Sequence, residues 1–207
     1  MNIELNHIYN EDCLEGLRQI PDKFVDLCVT DPPYNVGKDY GNKINDEKSE
    51  EEFYNWINPI WHEIRRVSKG VMITVGMVNF ANWIVNIEKP NWIGAWIKSN
   101  QCSRNRYGGF NIWEPILIYG ELGQRIKQDA WNYPIKKQKN VGNHPCPKLL
   151  DFWEILVSYA PENGIVLDPF MGSGTTAIAA KKQNKKYIGF EINFDYIKIA
   201  ESRLNES

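Results

Sequence analysis

The chain has 207 residues, 43% hydrophobic and 24% charged, which fits one globular domain with a full core and leaves little room for a second. No apolar run approaches the roughly 20 residues that cross a bilayer, and the first ten residues lack the basic and apolar regions of a signal peptide, so the reading is a soluble cytoplasmic protein. A formal net charge of -2 argues against a polyanionic partner, but residues 98–148 carry nine Lys/Arg against three Asp/Glu, a local basic region in an otherwise acidic chain. The cysteines Cys13, Cys28, Cys102 and Cys146 form no C-x-x-C pair and read as free thiols, with no metal site.

In chain order, Glu4–Tyr9 alternates weakly and reads as a short strand. Leu14, Leu17 and Ile20 follow at helical spacing until Pro21 stops the helix. Val25–Thr30 reads as a buried strand and ends in Asp31-Pro32-Pro33-Tyr34. A carboxylate, two prolines of fixed φ and an aromatic ring continue a sheet poorly, yet can hold a flat, nitrogen-bearing group still. The polar stretch from Asn35 to Lys48 reads as a mobile loop. Ser49 and Glu52 form a capping-box pattern that opens a helix with Phe53, Trp56, Ile57, Ile60, Trp61 and Ile64 on its apolar face. Gly70 is expected to end that helix before a strand over Val71–Val75.

Asn79–Glu88 has helical spacing, and Trp92–Ile97 and Glu114–Tyr119 read as strands, the second marked by Pro115 as an edge or bulge. Gly120–Asn143 is polar and basic without a period and reads as a loop or an inserted recognition segment. Leu149–Tyr159 is helical. Ile165–Leu167 is a strand running into the stretch from Asp168 to Thr176; a helix to about Gln183, a strand over Tyr187–Phe190 and a last helix from Phe194 complete the chain. Trp56, Trp61, Trp83 and Trp153 read as core. The alternation of strands and helices implies an α/β fold with a mostly parallel sheet covered on both faces.

Strand, glycine-rich turn and helix from Asp168 to Thr176 place backbone N–H groups and a positive helix end against a cofactor. Gly172 and Gly174 permit close backbone approach. A phosphate-binding loop needs Gly-Lys-Ser/Thr, whereas Gly174 is followed by Thr175 and Thr176, so a nucleoside triphosphate is not supported. A dinucleotide fingerprint is compatible, with Ala177 in the third glycine position. Glu191 ends the next strand, roughly 20 residues on, where an acid grips ribose hydroxyls. A nucleoside-bearing cofactor is common to these readings.

Asp-Pro-Pro-Tyr followed by Asp168-Pro169-Phe170-Met171-Gly172-Ser173-Gly174-Thr175-Thr176 resembles the amino-methyltransferases of DNA over nearly the whole chain. The catalytic motif precedes the cofactor motif, as in the permuted β-class order. The resemblance implies S-adenosylmethionine as cofactor, no metal, and DNA as partner. It implies a Rossmann-like, seven-stranded, mostly parallel sheet with an antiparallel edge hairpin of Trp92–Ile97 and Glu114–Tyr119, and the strand Tyr187–Phe190 beside Glu4–Tyr9. One methyltransferase domain then spans residues 1–207: catalytic motif 28–36, recognition insert about 120–143, cofactor-binding part 144–207.

By the same resemblance, Asp12 and Cys13 lie against the cofactor's adenine. His144 and Lys148 match the segment preceding the cofactor strand, from which Cys146 and Pro147 depart. Asp168, Phe170, Gly172, Ser173, Gly174, Thr175, Thr176 and Glu191 would complete the cofactor site. Asp31 and the Pro32 carbonyl, braced by Pro33, would accept the target amine's protons while Tyr34 stacks on an extruded base. Lys38, Arg104, Arg106, Tyr107, Arg125, Lys127, Lys136, Lys137 and Lys139 are candidates for nucleic-acid contact. Asp at the first motif position favours adenine N6; N4 of cytosine, an RNA base and a non-catalytic DNA-binding subunit are the alternatives. A recognition insert this short implies a homodimer or a specificity partner, and the family points to a prokaryotic or phage-encoded protein.

Overall fold

The computed structural model describes residues 3–37, 48–136 and 148–207. Lys38, Lys137, Lys139, His144, Cys146 and Pro147 lie outside the described residues. In chain order the elements are β1 (His7–Tyr9), α1 (Cys13–Leu17), β2 (Val25–Thr30), α2 (Glu50–Val67), β3 (Ser68–Thr74), α3 (Phe80–Asn86), β4 (Trp92–Ile97), β5 (Trp113–Gly120), β6 (Ala130–Asn132), α4 (Leu150–Ser158), β7 (Ile165–Asp168), α5 (Thr175–Lys182), β8 (Lys186–Phe190) and α6 (Phe194–Asn205). Among the described residues no helix is long and apolar enough to cross a membrane.

The strands form one sheet in the order β1-β8-β7-β2-β3-β5-β4-β6. Only β5 runs against its neighbours, β3 and β4. As the permuted motif order demands, β1 pairs with β8 in parallel, His7 opposite Ile188. The antiparallel hairpin of β4 and β5 is present as expected. The strand count is eight rather than seven, because β6 adds itself in parallel to β4 within the segment read as a loop or recognition insert. Its single inward side chain, Trp131, is 1% exposed between two exposed neighbours. A three-residue strand in a polar stretch has too few positions to show a period.

Side chains alternate along β5 to fill two cores: Ile116 and Ile118 pack with α4 and α5, Leu117 and Tyr119 with α2 and Trp83 of α3. This burial of both faces explains the unbroken apolar runs of the central strands. The Ser49–Glu52 capping box is formed reciprocally at the start of α2. Gly70 does not end α2; that helix stops at Val67, and Gly70 sits inside β3. A Cβ at Gly70 would lie 2.2 Å from the Glu121 carbonyl oxygen, so the glycine serves the close passage of the chain leaving β5.

Trp131 packs against Gly94, where a Cβ would come within 2.5 Å of its ring, and against Phe152 at a centroid distance of 6.0 Å. Trp131→Ala is expected to lower stability by about 3–5 kcal/mol, as measured by urea unfolding. A change below 1 kcal/mol would mean that β6 is not part of the core.

Candidate active site

The carboxyl ends of β1, β8, β7 and β2 open on one cleft of about 360 Å³, within the usual range of ligand sites at roughly 300–1,000 Å³. Its floor is the turn from β7 to α5. Asp168 is buried and accepts hydrogen bonds from Thr30 Oγ1 (2.7 Å), Phe170 N (3.0 Å) and Thr176 Oγ1 (2.5 Å). Burial pushes its carboxyl up to about 7, against the opposing pull of these donors. Gly172 and Gly174 take φ of 53° and 81°, and a Cβ on Gly174 would lie 2.7 Å from that of Ala200. The turn is therefore closed to larger residues.

Glu191 ends β8 and accepts from Gly172 N and Asn193 N, each at 2.8 Å. Burial raises its carboxyl pKa. Arg203 of α6, absent from the sequence reading, reaches Ser173 Oγ at 3.0 Å, Thr175 Oγ1 at 3.4 Å and the Ser173 carbonyl. It is a positioning residue for the glycine turn; one arginine in a terminal helix gave no signal of its own.

Asp12 lines the cleft, but its carboxylate caps α1 by accepting from Leu14 N at 2.8 Å. Cys13 lines it as a buried thiol whose pKa is driven far up by burial. Glu11, one residue earlier and also unread from sequence, is the more open group: its Oε1 is buried in this wall without a hydrogen-bond partner. Trp56 and Phe170, with centroids 6.0 Å apart, supply apolar wall, so Trp56 lines the cleft while Trp61, Trp83 and Trp153 are core as expected, Trp153 also bordering the cleft. A slot holding an orphaned acceptor, a glycine turn and an acid at the strand end fits a nucleoside-bearing cofactor.

The tetrapeptide begins where β2 stops. Pro32 and Pro33 are buried, and the Asp31 carboxylate faces the same cleft. Its Oδ1 accepts from Thr74 Oγ1 and from the Tyr34 hydroxyl, and lies 2.7 Å from the Lys148 ammonium. The Tyr34 ring packs against Gly76, with the ammonium of Lys148 over it at 5.3 Å. Burial and the Asp31 carboxylate push the Tyr34 phenol well above its usual pKa. Asn79 Nδ2 donates to the Tyr34 carbonyl. Asn35 exchanges two hydrogen bonds with the Lys48 backbone, at 2.8 and 2.7 Å, drawing residues 35 and 48 together beneath the tetrapeptide.

Lys148 also lies 4.0 Å from Glu114 Oε2, and Glu114 Oε1 is paired with Lys98, which is 5% exposed. Burial depresses the Lys98 pKa against the attraction of Glu114. Thr74, Lys98 and Glu114 were not singled out from the sequence: each ends or begins a strand, where a polar residue is ordinary.

The remaining candidates divide by sheet edge. Arg104, Arg106 and Tyr107 sit in the connection from β4 to β5, which rises from the edge that carries Asp31. An Arg104–Phe110 bridge shapes it, and Tyr107 is 86% exposed at its tip. Arg125 and Lys127 follow β5 to the opposite edge, where Gln124 N donates to Tyr159 O at the far end of α4. The structure does not bring these two to the cleft. Lys136 returns to the near edge but pairs with Asp151 at 2.7 Å.

A mostly parallel sheet with both motifs at its carboxyl edge, one per adjacent strand, is a Rossmann-like arrangement with its cleft at the strand ends. A DNA methylase family model, N6/N4 type, matches residues 25–153 and 100–202. The DNA adenine methyltransferase YhdJ of Escherichia coli is 29% identical over 249 residues, covering 98% of this chain and 83% of its own. Among solved structures, the cytosine-N4-specific PvuII DNA methyltransferase matches with a TM-score of 0.77 at 15% identity, over 97% of this chain and 86% of its own. M1.HpyAVI in its complex with SAM matches with a TM-score of 0.69 at 23% identity, over 96% and 98%. The chain belongs to the N6/N4 DNA methylase family, the S-adenosylmethionine-dependent amino-methyltransferases of DNA.

Asp168 makes stability depend on pH. Its folded pKa, about 7, lies above the ordinary aspartate value of 3.8, so the folded state keeps a proton that the unfolded state releases. Stability from this group is therefore greatest below about pH 4 and falls as pH rises to about 7. Relative to Asp168→Asn, the wild-type protein should lose a few kcal/mol between these limits, read from urea midpoints across a pH series.

Proposed function

We propose that the chain methylates the exocyclic N6 of adenine in a base flipped out of duplex DNA. The observation that carries this reading is that Asp31 and the Asp168–Thr176 turn line one cleft. The N6 choice rests on Asp at the head of the tetrapeptide and on the adenine specificity of its relative YhdJ; N4 of cytosine is the second reading, favoured by the cytosine-N4 specificity of PvuII methyltransferase.

Glu11, Glu191, Phe170, Cys13 and the turn over Gly172–Thr175 would hold S-adenosylmethionine, with Asp12 setting the adjoining wall and Thr176 held to Asp168 beneath it. The bound cofactor would supply an electrophilic methyl group on sulfur. Asp31 would accept one amino hydrogen and the Pro32 carbonyl the other, orienting the nitrogen lone pair. As the amine nitrogen takes the methyl group and the methyl–sulfur bond breaks with its electron pair left on sulfur, the amine would shed one proton, and Asp31 would take it. Tyr34 would stack on the base and offset part of a flipping cost of a few kcal/mol.

The chain is read as one methyltransferase domain. Its DNA-facing surface would be the connection bearing Arg104, Arg106 and Tyr107, together with residues 133–136 after β6. The segment read as a recognition insert, about 120–143, is short for the roughly 600–1,000 Å² that a single DNA-reading module buries, so a second copy or a partner would supply further specificity.

Asp31→Ala should abolish transfer of labelled methyl from S-adenosylmethionine to DNA oligonucleotides while leaving cofactor affinity within about threefold. Mass spectrometry of the digested product should show N6-methyladenine; N4-methylcytosine would establish the second reading, and retained turnover would remove Asp31 from the mechanism. Replacing Arg104 and Arg106 together by Ala should weaken binding to all sequences alike and reduce the salt slope of log K by about 2.

A further inference from the structure

The cluster behind Asp31 holds two ammonium groups, Lys98 and Lys148, and two carboxylates, Asp31 and Glu114. Two of the four carboxylate oxygens are used closely: Glu114 Oε1 by Lys98, and Asp31 Oδ1 by Lys148 and two hydroxyls. A third, Glu114 Oε2, is buried and has no hydrogen-bond partner, yet it lies 4.0 Å from the Lys148 ammonium. A buried carboxylate oxygen left without a donor carries a desolvation cost that a native site recovers in some other state.

We propose that Glu114 Oε2 is the second seat of the Lys148 ammonium, taken when the target amine arrives at Asp31. The proposal rests on the reading of Asp31 as the amine's acceptor. Two features of the present arrangement conflict with a bound base. The Lys148 ammonium engages the carboxylate that the amine must reach, and it lies over the Tyr34 ring on which the base would stack. An amine gaining positive charge beside that ammonium would be repelled. Moving the ammonium toward Glu114 removes both conflicts and keeps the cluster neutral. Lys98 holds Glu114 in place for the exchange, its ammonium 4.2 Å from the centre of the Trp96 ring. Glu114 is thus a positioning residue that acts on catalysis through Lys148.

Single-turnover methyl transfer at saturating cofactor tests this. Glu114→Gln keeps the shape and removes the charge that draws Lys148 away; its rate should fall about tenfold or more with cofactor affinity unchanged. Adding Lys148→Met to Glu114→Gln should raise the rate severalfold above the single variant, because the trapped ammonium is gone. A merely structural role predicts that the second lesion adds to the first. Where Glu114→Gln fails to fold, as a melting curve of the same sample shows, Lys98→Met with Glu114→Gln removes the buried pair together and is compared with and without Lys148→Met. A wild-type rate in Glu114→Gln, or no gain on removing Lys148 in either background, overturns the proposal. Retained activity in Asp31→Ala overturns the underlying reading instead.

Discussion

Across the junction of β2 and β7, the Thr30 hydroxyl donates to the buried Asp168 carboxylate at 2.7 Å, joining residues 138 positions apart. Everything at the carboxyl edge depends on this contact and on the parallel pairing behind it, Cys28 opposite Leu167. The residue after Thr30 is Asp31, and the residues after Asp168 form the glycine turn. One buried hydrogen bond therefore sets the offset between the Asp31 carboxylate and the glycine turn, the two groups proposed to meet a base and a cofactor. A strand slipped by one residue would turn Asp31 and the apolar side chains of β2 to the wrong faces at once.

Buried charge is handled in two ways around that junction. Asp168 is held by three hydrogen-bond donors, and burial raises its pKa to about 7. Asp31 instead has an ammonium at 2.7 Å, within a cluster whose formal charges cancel. The first arrangement makes a rigid floor. The second, with one carboxylate oxygen unpartnered, can be rearranged within 4 Å without changing its total charge. Rigidity thus lies under the cofactor turn and adjustability beside the base.

The edge of the sheet shows a compromise between folding and recognition. The basic segment after β5 spends Trp131 on closing the core beyond β4, and the chain before it runs along the edge remote from the cleft. What faces the cleft is a tight, exposed connection stiffened by Asn105, whose Oδ1 accepts from Tyr107 N at 2.9 Å and Gly109 N at 3.2 Å. Such local bonding holds an aromatic tip outward without a core beneath it.

The sequence by itself determined the alternation of layers and the two motifs, while the family resemblance supplied the β1–β8 and β4–β5 pairings. Unbroken apolar runs in β2, β3 and β5, the Ser49–Glu52 box and the Asp168–Thr176 turn are local signals, written in neighbouring residues. Tertiary structure alone decided which polar side chains share the site. Glu11, Thr74, Lys98, Glu114 and Arg203 come from five different elements or connections, and nothing in the spacing of one reports the others. It also decided that Trp56 lines a cleft, that Trp131 makes a strand, and that Arg125 and Lys127 sit at the opposite edge. The physical reason is the same throughout: period and capping act over a few residues, whereas the pairing of buried charges is settled by which strand ends meet once the sheet has closed.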